Sequence, residues 1–224
     1  MVLDSLRSLK ELLFPLSCLG CATADYWLCP TCQSNWKVST RKTLIGSTAL
    51  YFKADYSVKT SAVILAAKES NNHLARDLLA RSISQSIIYA VADLAITGDI
   101  YLVTIPSSIS AIRRRGRDHI QELAIEVQNY LELKSIKSHL LFLLCQRKNM
   151  KDQSRLNSRQ RMQNTYGMFE VTSCENPQGA IFLIDDLVTT GASIKEGMRA
   201  LFEAKITVTA AITACAVGRN SLIP

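Results

Sequence analysis

The stretch IFLIDDLVTTGAS, residues 181–193, restricts this chain more than any other part of it. Residues 180–184 form a continuous apolar run without alternation, the mark of a strand buried in a parallel sheet. The run meets two adjacent carboxylates, Asp185 and Asp186. A short turn follows, Thr189, Thr190, Gly191, Ala192 and Ser193, and opens a helix over residues 193–204 with Ile194, Met198, Leu201 and Phe202 on one face. In open α/β sheets, ligands bind beyond the carboxyl ends of the strands. Free N–H groups at a helix N-terminus suit a phosphate. Gly191 lets the backbone approach an anion closely, and Thr189, Thr190 and Ser193 add hydroxyl donors. The two carboxylates are acceptors, suited to sugar hydroxyls or to the water shell of Mg²⁺. A strand end with an ordinary helix cap is the plainer reading, but it accounts for one acidic residue and not two. No Gly-Lys-Ser/Thr follows, so this is not a Walker A loop.

The remaining pattern fits one α/β domain and a small appendage in 224 residues. Residues 100–105 (IYLVTI) form a second buried strand that ends at Pro106, and residues 206–217 a third. Residues 117–132 read as a helix with Ile120, Leu123, Ala124, Val127 and Leu131 on one face. Residues 58–97 hold two helices broken near Ser70, Asn71 and Asn72, and residues 140–145 are strand-like but ambiguous. Residues 41–57 are less clear, with strand character around residues 50–52; residues 1–14 read as a short amphipathic helix. Alternating strands and helices imply a central parallel sheet with helices on both faces.

Cys18, Cys21, Cys29 and Cys32 stand as two C-x2-C pairs seven residues apart. Each pair can place two thiolates on one tetrahedral ion, and four soft thiolates suit a closed structural Zn²⁺ site. Free buried cysteines are the alternative. A total of seven cysteines without a secretion signal argues against a disulfide framework. Trp27 and Trp36 flank the pairs and are expected to pack a small metal core, which divides the chain at about residue 40 into a 1–40 module and a 41–224 domain. His73, His119 and His139 show no ligand spacing and read as surface or helix residues.

Asp4, Arg7, Lys10 and Glu11 interrupt any signal-peptide core. No apolar run approaches the ~20 residues that span a bilayer. A cytoplasmic location is therefore expected, with no membrane partner. The net charge of +7 is uneven: Arg113, Arg114, Arg115 and Arg117 form one cluster, and Arg147, Lys148, Lys151, Arg155, Arg159 and Arg161 another. Such clusters attract a small phosphate compound or a nucleic acid; solvated faces are the alternative.

The pattern acidic-acidic-x2-Thr-Thr-Gly-Ala-Ser resembles the ribose-phosphate signature of type I phosphoribosyltransferases. Residues 103–124 (VTIPSSISAIRRRGRDHIQELA) are similar to the strand-Pro, Arg-x-Arg-Gly and Leu-Ala segment of the ComF family. Residues 144–169 are similar to its basic loop, with Gln153, Leu156, Arg161, Asn164 and Phe169 in matching places. With the four cysteines and Lys68, the resemblance covers most of the chain. It implies a type I phosphoribosyltransferase-like domain behind a zinc module, and Mg²⁺-dependent transfer from phosphoribosyl pyrophosphate to an acceptor it does not identify. Asp185 and Asp186 would be the catalytic carboxylates on the ribose hydroxyls, and Thr189, Thr190, Gly191, Ala192 and Ser193 would wrap the 5-phosphate. Ser107, Ser108 and Arg113, with Lys68, would hold pyrophosphate, and residues 147–161 would form a hood that excludes water or a static loop. Many ComF members carry Phe-Asn-Gln after the Arg-Gly; Arg117, Asp118 and His119 stand here instead, and no role is read for them. The resemblance leaves a second reading: a non-catalytic sensor of phosphoribosyl pyrophosphate, or a single-stranded-DNA-binding accessory beside a helicase-like partner in competence.

Overall fold

A computed structural model describes residues 16–147, 166–172 and 177–217. The expected helix over residues 1–14, the loop residues 148–161 with Asn164, and Cys174 lie outside the described residues.

In chain order the elements are α1 (Pro30–Gln33), β1 (Arg41–Ile45), β2 (Thr48–Asp55), α2 (Val58–Glu69), α3 (His73–Asp93), β3 (Ile100–Thr104), α4 (Ile109–Arg115), α5 (His119–Glu132), β4 (Ser138–Leu141), β5 (Leu144–Gln146), β6 (Phe169–Val171), β7 (Ala180–Val188), α6 (Ala192–Glu203) and β8 (Ala210–Ala216). Six strands form one sheet in the order β1-β2-β8-β7-β3-β4, and β5 pairs with β6 apart from it. Only β1 runs antiparallel to its neighbour; the β2–β8, β8–β7, β7–β3 and β3–β4 pairs are parallel. This is the mixed α/β fold with a mostly parallel sheet that the apolar runs imply.

All seven residues of β8 are buried, as a small-residue strand between two parallel neighbours requires. One face of the sheet is covered by α2, α3 and α5, through Val63, Ile64, Leu79, Ile83, Leu123 and Val127. The other face carries α6, through Ile194 and Leu201, together with Leu144 and Phe169 of the β5–β6 pair. Helix α6 sits close: a Cβ at Gly197 would come within 2.6 Å of the Ile105 side chain. The break between α2 and α3 falls where expected. Asn71 takes φ +52°, and Asn72 caps α3 by accepting from the Ala75 N–H at 3.0 Å.

Several boundaries differ from the sequence reading. Residues 41–55 form a hairpin turned at Gly46 (φ +62°), and its second strand lies inside the sheet beside β8. The stretch at 140–145 is two strand ends: β4 pairs with β3, whereas β5 belongs to the small hairpin. The third strand starts at Ala210, not 206. Phe202, expected on the apolar face of its helix, is 73% exposed. Cys18, Leu28, Cys29, Cys32 and Trp36 join the same buried cluster as α2 and α3, so the cysteine segment packs on the domain's main core.

Candidate active site

The chain leaves β3 toward β4 on one side and β7 toward β8 on the other, with the crossover helices α5 and α6 on opposite faces. The crevice between the carboxyl ends of β3 and β7 is therefore a topological switch point, the place where open α/β sheets bind ligands. Strand β3 ends its ladder at Thr104 opposite Ile184, while β7 continues to Val188 on β8 alone. The acidic pair thus lies within the last residues of the strand and not beyond its end, on a stretch whose β3-side edge has been released.

A cavity of about 850 Å³ opens there. Asp185, Asp186 and Ser193 line it from the β7–α6 side; Ser107, Ser108 and Arg113 line it from the β3–α4 side, and Lys68 from the end of α2. Thr189, Thr190, Gly191 and Ala192 do not line it; Thr189 and Thr190 are exposed on the adjoining turn. Gly191 caps α6 with φ +73°, a left-handed conformation that any side chain would strain. The N-cap Gly191 offers no side chain to α6, and Thr190 Oγ1 accepts from the Ala192 N–H at a long 3.4 Å, so the helix start has N–H groups to offer an anion.

Successive strand residues point to opposite faces, and the two carboxyls meet different surroundings. Asp186 is buried on the helical face, with Lys68 Nζ 3.1 Å and His119 Nε2 3.3 Å from its Oδ2. Burial alone would raise its pKa, but the contacts of His119 and the charge of Lys68 hold it well below the usual carboxylate range. Asp185 is half-buried and accepts the Asp186 N–H at 2.8 Å. Burial, then the charge of Asp186, pushes its pKa well above the ordinary value. The pair therefore holds its first negative charge on Asp186 and its proton on Asp185, as closely coupled carboxyls do. Burial opposes the charge of Lys68, yet Asp186 and Asp185 outweigh it and hold its pKa above the usual lysine value.

The opposing wall is cationic, and part of it was not foreseen. The Arg115 side chain is 3% exposed and lines the cavity. Its Nη1 meets Glu69 at 3.2 Å, while Nε and Nη2 have no partner among the described residues. His119, read from the sequence as a surface or helix residue, is buried against Asp186, and its ring nitrogens make no well-aligned hydrogen bond there. Arg117 Nη2 donates to the Ala67 and Lys68 carbonyls at 2.6 and 2.9 Å, so it ties down the last turn of α2 and with it Lys68. Asp118 caps α5 and accepts from Ser107 Oγ at 3.0 Å. The Ser108 hydroxyl caps α4. The tripeptide that departs from the ComF pattern thus braces both walls. Spacing alone carries no sign of this, since it depends on how α2 and α5 pack.

Of the two basic clusters, the first is only partly a surface feature. Arg113 is exposed, and Arg114 is exposed and paired with Glu69, but Arg115 and Arg117 point inward. Of the second cluster, Arg147 is described; it lines the cavity and pairs with Glu170 at 3.0 Å.

The four cysteines of the N-terminal segment come together, with all sulfurs within 4.8 Å of one another. Tetrahedral coordination at Zn–S of about 2.3 Å requires sulfurs about 3.8 Å apart, and Cys21 and Cys29 already stand at 3.6 Å. The Cys29 N–H donates to Cys18 Sγ at 3.2 Å, the kind of contact that steadies a thiolate. The group could hold a metal ion, and it is the one such cluster among the described residues.

No protein-family model matches the sequence, and no curated protein matches it. Solved structures do resemble the fold. Adenine phosphoribosyltransferase from Saccharomyces cerevisiae, crystallised with an imino-altritol bisphosphate and adenine, is 9% identical, with a TM-score of 0.39 over 87% of this chain and 96% of that one. The Trypanosoma brucei enzyme, in complex with AMP, pyrophosphate and ribose-5-phosphate, is 10% identical at a TM-score of 0.38, over 86% and 84%. The Leishmania donovani enzyme is 10% identical at 0.35, again over 86% and 84%. No helix among the described residues is long and apolar enough to cross a membrane.

Proposed function

We propose that the chain binds phosphoribosyl pyrophosphate in the crevice between β3 and β7 and transfers its phosphoribosyl group to an acceptor. The observation that carries this reading is the charge arrangement. An acid pair braced by Lys68 faces Arg113 and Arg115 across a cavity that reaches Ser193 at the start of α6. A ribose with phosphate at one end and pyrophosphate at the other matches this: hydroxyls for the acids, anions for the helix end and the cationic wall. Asp186 orients the ribose, Lys68 neutralises both Asp186 and the leaving pyrophosphate, and the turn from Thr189 to Ser193 receives the 5-phosphate. Mg²⁺, carried by the substrate's oxygens, supplies further charge neutralisation. Catalysis is then mostly positioning and electrostatics around an oxocarbenium-like transition state. Residues 41–224 form the transferase domain and residues 1–40 a module in which Cys18, Cys21, Cys29 and Cys32 hold Zn²⁺, in keeping with the ComF resemblance.

Calorimetry with phosphoribosyl pyrophosphate, with and without Mg²⁺, tests the reading. Saturable, Mg²⁺-dependent heat that Asp185→Asn/Asp186→Asn abolishes is expected. An oligonucleotide arm separates the rival. Single-strand binding shows a log–log salt slope of about −0.7 per phosphate neutralised. A steep slope with no heat from phosphoribosyl pyrophosphate would overturn the transferase reading in favour of a nucleic-acid accessory. Heat without pyrophosphate release across a panel of acceptors would mark a sensor.

A further inference from the structure

A second cavity, of about 490 Å³, lies between the cysteine segment and α3 and shares no lining residue with the first. Trp27, Trp36 and Lys37 line it from the cysteine segment, Lys53 from β2, and Asp77 and Arg81 from α3. Lys53 is the unusual member. Its residue surface is 8% exposed, its ammonium remains open to solvent, and among the described residues no carboxylate or hydrogen-bond acceptor meets its Nζ. Lysines are almost never this buried unless paired. Lys68, half-buried, shows the ordinary solution, with Asp186 at 3.1 Å. Asp77, the one carboxylate that lines this cavity, is committed to Arg81 at 2.9 Å and to the Tyr130 hydroxyl. None of the four cysteines lines the cavity. Burial lowers the Lys53 pKa, and no neighbouring charge offsets it.

The walls say what would complete the site. Trp36 is buried and Trp27 half-buried, so two indoles line a space within the size range of small-molecule sites. Indole rings take planar rings by stacking or edge contact. Lys53 lacks a counter-ion, and Lys37, exposed at the rim, adds a second positive charge. We infer that this cavity is a second ligand site, selective for a planar aromatic ring that carries a phosphate or a carboxylate, with Lys53 as its counter-ion and Trp27 and Trp36 as its ring wall. The inference is independent of the transferase reading.

Trp27 and Trp36 are the chain's only two tryptophans, so fluorescence excited selectively at tryptophan, which leaves the seven tyrosines silent, reports on this cavity. The full chain is titrated with adenosine monophosphate and with nicotinate as the phosphate and carboxylate forms of the ligand. Adenosine (ring without anion) and inorganic phosphate (anion without ring) are the controls. At least one ring anion gives a saturable change, with both controls at least tenfold weaker. Lys53→Gln weakens the ring anion at least tenfold and, because no partner of Lys53 is left unpaired, keeps the melting temperature close to that of the wild type. Trp27→Leu keeps Trp36 as reporter and also weakens binding. Asp185→Asn/Asp186→Asn leaves this signal unchanged, whatever it does to phosphoribosyl pyrophosphate. Three results overturn the site: no saturable change from either ring anion into the millimolar range, unaltered affinity in folded Lys53→Gln, or loss of the signal in the double aspartate variant.

Discussion

Glu196 ties α6 to the β5–β6 pair, and its removal has a cost that can be worked out. The residue is 4% exposed. Its carboxylate accepts from the Phe169 N–H at 3.2 Å and from Arg199 Nη2 and Nε at 2.7 and 2.8 Å. Arg199 Nη2 also donates to the Phe169 carbonyl at 3.1 Å, so acid and base together clamp one strand residue. Glu196→Ala strands a buried N–H, worth about 1–3 kcal/mol, and breaks a buried pair, worth about 3–5 kcal/mol. The two losses overlap, and Arg199, 19% exposed, keeps Glu203 at 2.5 Å. A net loss of about 3 kcal/mol follows. Glu196→Gln retains a carbonyl oxygen for the Phe169 N–H but gives up the charge and the hydrogen bond from Arg199 Nε, since an amide NH2 cannot accept, about 1–2 kcal/mol. Urea denaturation measures both. At about 2–4 °C per kcal/mol for a chain of this size, the alanine variant melts roughly 6–12 °C lower. The pair also presents Gln146, Arg147 and Phe169 to the first cavity, so Glu196→Ala weakens phosphoribosyl pyrophosphate binding in step. Equal stability of the two variants, or an alanine loss below about 1 kcal/mol, would refute the clamp.

The acid pair gives opposite pH signatures. Asp185, raised by burial and by Asp186, costs stability as pH rises through its folded pKa; Asp185→Asn therefore raises the melting temperature near neutrality, by about 2–4 °C for each kcal/mol recovered, and the gain disappears below the unfolded value of about 4, as melting scans across pH will show. Asp186, held low by His119 and Lys68, contributes stability that is present above that unfolded value and lost as pH falls through its folded pKa, so Asp186→Asn melts lower than wild type at neutral pH. Gly191→Ala forces a left-handed alanine beside Ile45, costs about 1–2 kcal/mol by denaturation, and weakens phosphoribosyl pyrophosphate binding; unchanged stability would discount the φ argument. Elemental analysis of protein prepared without chelator gives about one zinc per chain, and a strong chelator lowers the melting temperature of the whole chain because Cys18, Cys29 and Cys32 share the main core. Less than roughly 0.2 zinc per chain with four titratable thiols would end that assignment.

Local chemistry was readable; aim was not. The apolar run before Asp185 and Asp186, the Gly191 turn and the cysteine pairs are signals within a few residues; the turn and the cysteine cluster appear where expected, while the strand runs on through the acidic pair to Val188. Lys68, Ser107, Ser108 and Arg113 were reached only through the family resemblance, because nothing local links the end of α2 to the end of β7. The arginine run shows the limit most clearly. Composition gives its charge, but whether Arg115 turns into the cavity depends on α4 lying against Glu69, a contact set by tertiary packing. His119 was missed for the same reason: one histidine with no ligand spacing becomes a partner of Asp186 only when α5 docks on the sheet. The β1–β2 hairpin escaped because its pairing with β8 joins distant parts of the chain, which periodicity cannot report.

That pairing sets a schedule for biosynthesis. Strand β8 stands between β2 and β7, so the last of the described strands closes the middle of the sheet. Before β8 docks, the hairpin on one side and the β7-β3-β4 group on the other are unjoined. Each presents a bare strand edge, and the contacts that join them have long sequence separation. Folding should therefore finish in a late zippering step when β8 docks, with chaperone capture and aggregation concentrated in the interval before it.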